Sequence, residues 1–295
     1  MNQTIDKANK KKEVLKLLSI IGIDTRYVSY TPKVLYINDQ RFAKFSKKRQ
    51  VTFKKYYPKI EIINSNVLRK ICIKFSEIIA NEISPKNNVL ILKPKNKVDY
   101  LLKIVLEPYA RKYGIKIMEY DIKNINSFLS KLDQKNQIFI KLDKLKNIDK
   151  LFFSDTEEYE ANKNDKSNLI KIDSVLLSQT LDDKVESILT SIFKGEGIPF
   201  SKSDYNNETK IVYPFINVPN SWIDTFLETL EKELDSKIDI IIKNKTLNYS
   251  NNDSYYKITK SFMDFIEEII PQYRGNILKS SNFIEDKLIN TKKSK

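Results

Sequence analysis

The sequence predicts an α/β fold, a parallel sheet with helices on both faces, and three observations carry that expectation. Residues 88–120 read as strand, helix and strand: the apolar run 89–92, a helical pattern over 98–113, and a second apolar run 115–118 after Gly114. Residues 175–200, VLLSQTLDDKVESILTSIFKGEGIPF, give a short apolar strand, an acidic helix start, an amphipathic helix and a glycine-marked exit. Further strand candidates at 138–140, 172–177 and 238–242 alternate with helical stretches, as parallel strands joined by crossovers must.

In chain order, residues 10–21 form a short amphipathic helix closed near Gly22. Residues 26–57 change character. Tyr27 and Tyr30, then Phe42 and Phe45, stand at the spacing that paired cysteines take in a zinc ribbon, around a strand at 33–37. Either buried rings replace a metal there, or the spacing of common aromatics is coincidence. Lys47, Lys48, Arg49, Lys54 and Lys55 interleave with Phe45, Phe53, Tyr56 and Tyr57, a mixture suited to phosphate neutralisation with aromatic support and equally to a solvated helix face. Val67, Leu68, Ile71, Phe75, Ile78, Ile79 and Ile83 set a helix that ends before Pro85.

In residues 175–200, Asp182 and Asp183 stand where a helix start offers unpaired N–H groups and partial positive charge. Val185, Ile188, Leu189, Ile192 and Phe193 repeat on one helical face, and Gly195 and Gly197 mark an exit that needs positive φ or a close approach. Residues 201–208 read as a loop and 211–215 as a strand or edge segment; a helix then starts after Pro219, with Trp222, Ile223, Phe226, Leu227, Leu230 and Leu234 directed to the core. Polar stretches at 154–168 and 244–253 read as loops. Ile258, Phe262, Phe265, Ile266 and Ile269 predict one buried face of a helix stopped by Pro271, followed by a short second helix and a disordered basic tail at 292–295. The expected organisation is an N-terminal appendage over 1–60, the α/β domain over 61–242 and a C-terminal helical segment over 243–295.

Composition narrows the chemistry. The 295 residues include no His and one Cys, Cys72, so an internal disulfide and a Cys-based zinc cluster are excluded, and the commonest general base is absent. No cofactor or metal is implied. No apolar run approaches the ~18 residues of a membrane span, and residues 1–16 lack the apolar core of a secretory signal, which predicts a cytoplasmic protein. The net charge of +14 is unevenly held: residues 1–150 carry 33 Lys and Arg against 14 Asp and Glu, whereas residues 151–295 carry 19 against 24. A half at +19 beside a half at −5 points to a polyanionic partner for the first.

The first strand-to-helix turn is where a nucleotide-binding α/β domain closes backbone N–H groups around phosphate. Here it reads Lys93-Pro94-Lys95-Asn96-Lys97-Val98-Asp99, without a glycine. Pro94 supplies no N–H, and Lys95 and Asn96 restrict φ. Lys93, Lys95 and Lys97 remain able to hold a nucleic-acid phosphate by charge, which demands less geometry.

LDDKVESILTSIFKGEG resembles the strand-to-helix segment of the PP-loop ATP pyrophosphatases that thiolate tRNA, with its Leu-Asp-Asp-x-x-Glu-x-x-Leu pattern running into a glycine. GEGIPFSKSD through KIVYPFINVP, and the Pro271-x-x-x-Gly275 tail, are similar to the second, sequence-degenerate subunits of cytosolic tRNA 2-thiolation heterodimers. The resemblance covers residues 89–120, 175–234 and 255–288. It implies a degenerate PP-loop fold in which Lys97 alone matches the family's Ser-Gly-Gly-Lys-Asp-Ser turn, with Lys97, Asp182 and Asp183 as the remnant of a nucleotide site. It implies no catalytic residue, since the family's mid-chain cysteine is missing, and a metal-free counterpart of its N-terminal zinc ribbon. The implied partners are a catalytic PP-loop paralogue, tRNA and a ubiquitin-related sulfur carrier, with no membrane. The tRNA-contacting candidates are Lys47, Lys48, Arg49, Lys54, Lys55, Lys93 and Lys95. Two alternatives stand beside it: a self-sufficient tRNA-adenylating enzyme using Lys97, Asp182 and Asp183, and a general RNA-binding module on a retired nucleotide fold.

Overall fold

A computed structural model of the chain describes residues 2–121, 127–128, 130, 137–141, 151–153, 169–198, 209–233 and 254–293. The strand expected at 238–242, the loops at 154–168, 201–208 and 244–253, and residues 294–295 of the tail lie outside them. The fold is mixed α/β with parallel strands flanked by helices, and the chain divides into two compact units, Met1–Asp121 with Ser221–Asn244, and Ile122–Asn220 with Lys245–Lys295.

The first unit opens with α1 (Asn2–Ile20), which starts well before residue 10 and stops at Gly22, where φ is +80°. A short 3-10 turn (Thr25–Tyr27) leads into β1 (Val28–Tyr30), which pairs antiparallel with β2 (Val34–Ile37). Asp39 caps α2 (Gln40–Ala43), and Ser46 caps α3 (Lys47–Tyr56). β3 (Glu61–Ile63) then pairs parallel with β2. Val14, Leu18, Leu35, Phe45 and Phe53 close a core of their own, Phe45 lying edge-on to Phe53 at 6.1 Å between centroids.

That core divides the two aromatic pairs. Tyr30 and Phe45 are buried, but Phe42 is 53% exposed and stacks on Tyr27 at 5.2 Å. The reason is the short α2. Its Asp39 cap takes the N–H groups of Arg41 and Phe42, and Lys44 leaves the helix at φ +56°. Phe45 and Tyr30 therefore lie in the core with Tyr27 packed against it, while Phe42 stays at the surface on Tyr27.

Ser65 caps α4 (Asn66–Glu82), whose Leu68, Ile71, Phe75 and Ile79 are fully buried at the expected spacing. β4 (Asn88–Leu92) pairs parallel with β5 (Lys116–Tyr120), as the βαβ pattern requires, although β5 begins one residue later than the apolar run. The single helix expected over 98–113 is two, α5 (Lys97–Leu106) and α6 (Tyr109–Tyr113), because Pro108 cannot donate to the preceding turn. Gly114 closes α6 at φ +66°.

The break at 107–108 positions an ionic knot. Glu107, 15% exposed, receives Arg111 on both oxygens, Lys11 at 2.7 Å and the Tyr30 N–H at 3.3 Å. Arg111 in turn donates to the carbonyls of Thr25 at 3.0 Å and Val28 at 2.6 Å. The unit closes on α8 (Asn220–Glu233), whose Ile223, Phe226 and Leu227 are buried, Phe226 lying 6.3 Å from Tyr36. Trp222 is only half-buried, and Lys70 Nζ stands 5.6 Å over its ring.

In the second unit, β6 (Ile138–Lys141) pairs antiparallel with β7 (Leu151–Phe153) and β8 (Leu169–Ile172). This corrects the reading of 138–140 as a parallel strand. The strand expected at 172–177 is interrupted at Asp173: β8 ends there and β9 (Ser174–Leu176) begins, pairing parallel with β10 (Lys210–Val212). Thr209 ties these strands together, donating to the Ile172 carbonyl at 2.8 Å and accepting from the Ile138 N–H at 3.2 Å.

α7 (Leu181–Phe193) packs Leu181, Val185, Ile188 and Leu189 against Met263 of α9 (Ser254–Ile269) and against Tyr273 and Leu278 of α10 (Tyr273–Lys293). α10 is longer than expected, carrying Gly275 within it and reaching Lys293. The face of α9 is also corrected. Thr259 and Met263 are buried, Ile266 packs against the α7 core and Phe262 meets Phe193 edge-on at 5.5 Å, whereas Ile258, Phe265 and Ile269 are 53–59% exposed. Thr190 and Thr259 meet at 3.0 Å between α7 and α9, beside the core contact of Met263 and Ile266. Among the described residues no helix is long and apolar enough to cross a membrane.

Candidate functional site

The turn after β4 forms because Asn96 takes an extended conformation, φ −139° and ψ 177°, and caps α5. Its side chain accepts the Asp99 N–H at 2.9 Å, and the Asp99 carboxylate reaches back to accept the Lys95 N–H at 3.0 Å. Two amides that could face a phosphate are thus bonded to the turn's own side chains. Non-glycine residues with positive φ occur, among the described residues, only at Lys44 and Lys86, so this turn holds no left-handed residue that would aim successive N–H groups at one point.

The turn's lysines are engaged as well. Lys93 Nζ lies 3.0 Å and Lys95 Nζ 3.9 Å from the Asp121 carboxylate, just past the end of β5. Lys97 leads α5 and pairs with Asp224 of α8 within the same unit. Its side chain is 44% exposed, so the pair is solvated, but the charge is answered.

Asp182 and Asp183 head α7 in the second unit. Asp183 completes a capping box: Thr180 Oγ1 accepts the Asp183 N–H at 3.3 Å, and the Asp183 carboxylate accepts the Thr180 N–H at 3.0 Å. Asp182 accepts the Asn220 N–H at 2.7 Å and lies 2.8 Å from Arg274 Nε. That N–H is not aimed at the carboxylate, so the contact is an ion pair rather than an aligned hydrogen bond. Burial pushes the Asp182 carboxyl above the usual carboxylate range, against the pull of Asn220 and Arg274. Glu186, one turn on, is raised for the same reason, with Asp183 adding to it. Among the described residues no cluster of three His, Cys, Asp or Glu side chains has the arrangement to hold a metal ion.

Of the basic run, Lys47, Lys48 and Lys55 are exposed. Arg49 donates to the Lys44 carbonyl at 2.6 Å and covers Gly22, where an added Cβ would stand 2.8 Å from its guanidinium. Lys54 pairs with Glu61 at 3.2 Å. The structure therefore brings Lys93 and Lys95 together around Asp121, places Lys97 on Asp224, and sets Asp182 and Asp183 in the other unit. The residues that sequence reasoning missed are the answering ones: Asp121, Asp224 and Arg274. Asp224 is 127 positions from Lys97, and no local pattern marks it.

Fold and turn together define a mixed α/β protein whose nucleotide-type turn is closed by its own side chains. No family model matches the chain, and no curated protein matches it. Among solved structures, the U34-tRNA thiolase NcsA from Methanococcus maripaludis with its [4Fe-4S] cluster is similar at 12% identity and a TM-score of 0.41, over 74% of this chain and 78% of that one. A superposition that loose carries neither residues nor chemistry from that protein to this one.

Proposed function

We propose that this chain is a non-catalytic subunit of a cytosolic tRNA 2-thiolation complex. It binds tRNA and a catalytic PP-loop paralogue, and so supports sulfur transfer from a ubiquitin-related carrier to the wobble uridine U34. The observation that supports this best is the turn after β4, where Asn96 and Asp99 occupy the amides and Asp224 answers Lys97. A nucleotide would have to displace three internal contacts to gain a cradle without glycines. With the charge split between the halves, the motif at 181–197 and the absence of His, the chemistry is best assigned to the partner.

The purified chain should release no pyrophosphate from ATP, whereas native pull-down should recover a PP-loop protein. Cells lacking the chain should lose wobble 2-thiouridine, read as lost retardation of tRNA in mercury-containing gels. Pyrophosphate release that disappears in Lys97→Ala would overturn the non-catalytic assignment. Full thiolation in the deletion would remove the thiolation role and leave a general RNA-binding module.

A further inference from the structure

We infer that the cavity of about 210 Å³ beside the 25–27 turn, within the first unit, receives one unstacked nucleobase of a single-stranded RNA. This rests on the RNA-binding part of the function proposed above. Arg26, Tyr27, Phe42, Cys72, Tyr109 and Lys112 contribute to its wall. Three of these are aromatic, and the Tyr27 and Phe42 rings lie nearly parallel, 25° apart at 5.2 Å. Phe42 leaves more than half its surface in water at the rim, so that beyond its stack on Tyr27 it keeps ring surface open to a ligand. Lys112 Nζ stands 5.6, 5.4 and 5.0 Å over the rings of Tyr27, Tyr109 and Tyr113, which holds a cation beside the stacking surface.

The ligand class follows from the combination. A free anion would make no use of the rings, and an aliphatic ligand would make none of the cations. A nucleotide uses both, with its base stacked on an aromatic face and its phosphate against a cation. Asp39 also lines the cavity, and its carboxylate disfavours a phosphate inside, so the base enters while the backbone stays at the rim near Arg26 and Lys112. Arg26 is 58% exposed but its charge is answered by Asp24 at 2.7 Å, so Lys112 is the cation at that rim that serves a phosphate. Burial pushes the Cys72 thiol up, so the wall at that point is neutral.

The test uses the full chain and a short single-stranded RNA carrying one 2-aminopurine, read by fluorescence and by affinity at low salt. Wild type should quench the probe on binding. Phe42→Ala should lose the quench and bind about 5- to 150-fold more weakly, the effect of removing one stacking ring, while it remains folded, with a smaller drop in unfolding midpoint than Phe45→Ala. Phe42→Trp should restore both. Unchanged quench and affinity in Phe42→Ala overturn the pocket. If RNA binds with a steep salt dependence but the probe is never quenched, the pocket falls and RNA binding stands. If no RNA binds at low salt, both fall.

Discussion

Neutralising the exposed cations of α3 tests RNA binding at the level of individual charges. Lys48 and Lys55 are seven residues apart, two helical turns and roughly 10 Å along the axis, so they can meet separate phosphates. Lys47, Lys48 and Lys55 are exposed, whereas Arg49 is spent on the Lys44 carbonyl and Lys54 on Glu61. Each phosphate contact contributes about 0.7 to 0.9 to the slope of log affinity against log salt. The triple variant Lys47→Ala, Lys48→Ala, Lys55→Ala should therefore flatten that slope by about 2 to 2.7. Between 50 and 200 mM salt, wild type would lose about 20- to 40-fold more affinity than the variant. Lys54→Ala alone should leave the slope nearly unchanged. Fluorescence anisotropy with labelled tRNA across a salt series measures both, with circular dichroism as the folding control. An unchanged slope in the triple variant would mean that the lysine excess of this half is compositional, and a full-contact change in Lys54→Ala would mean that the Glu61 pair does not withhold it.

The other predictions concern stability, read from urea midpoints. Phe45→Ala should cost about 3 to 5 kcal/mol, because it empties a fully buried ring site, whereas Phe42→Ala should cost at most about 1.5 kcal/mol for the lost stack on Tyr27. Equal losses would refute the split of the aromatic pairs. Burial raises the Glu107 carboxyl, but Arg111 and Lys11 more than reverse it, so it titrates below the usual carboxylate range. Its contribution is present at neutral pH and is lost as pH falls through that lowered value. Glu107→Gln should cost about 3 to 5 kcal/mol at pH 7 and show a shallower acid decline than wild type; parallel pH curves would count against the knot. Met263→Ala should destabilise by about 2 to 5 kcal/mol and Phe265→Ala by less than about 1 kcal/mol, the reverse of what side-chain size suggests.

The parts of the fold that were legible are those where one local rule acts alone. The periodicity of 66–83 is the α4 helix, the βαβ stretch pairs parallel, and Gly195 and Gly197 take φ of +73° and +84° in open space, so they serve the turn and not a close approach. Where two rules compete, the sequence misleads. Along residues 254–269 the apolar side chains are spread over more than the face that packs: Met263 and Ile266 reach α7, while Ile258, Phe265 and Ile269 stay largely exposed, and only the packed neighbours distinguish them. The candidate site was legible in what it lacks, glycines and cysteines, and Asp183 was legible as a helix start. The neutralising partners were not. Asp121, Asp224 and Arg274 carry no local pattern in sequence, and only tertiary contact brings them to Lys93, Lys97 and Asp182.

The first unit is built from two separated pieces of chain, with 122–220 spun out between them. Tyr36 waits for Phe226, Lys70 for Trp222 and Lys97 for Asp224. At about 5 to 20 residues per second, a ribosome needs roughly 5 to 20 seconds to cross that interval. Until α8 is made, the bed that it fills is empty and Lys97 is unanswered. The nascent chain is therefore most open to stray polyanions, ribosomal RNA included, just before the helix that seals it emerges, and a ribosome-stalled fragment ending near residue 200, with α8 not yet made, should crosslink to RNA more than the released full-length chain.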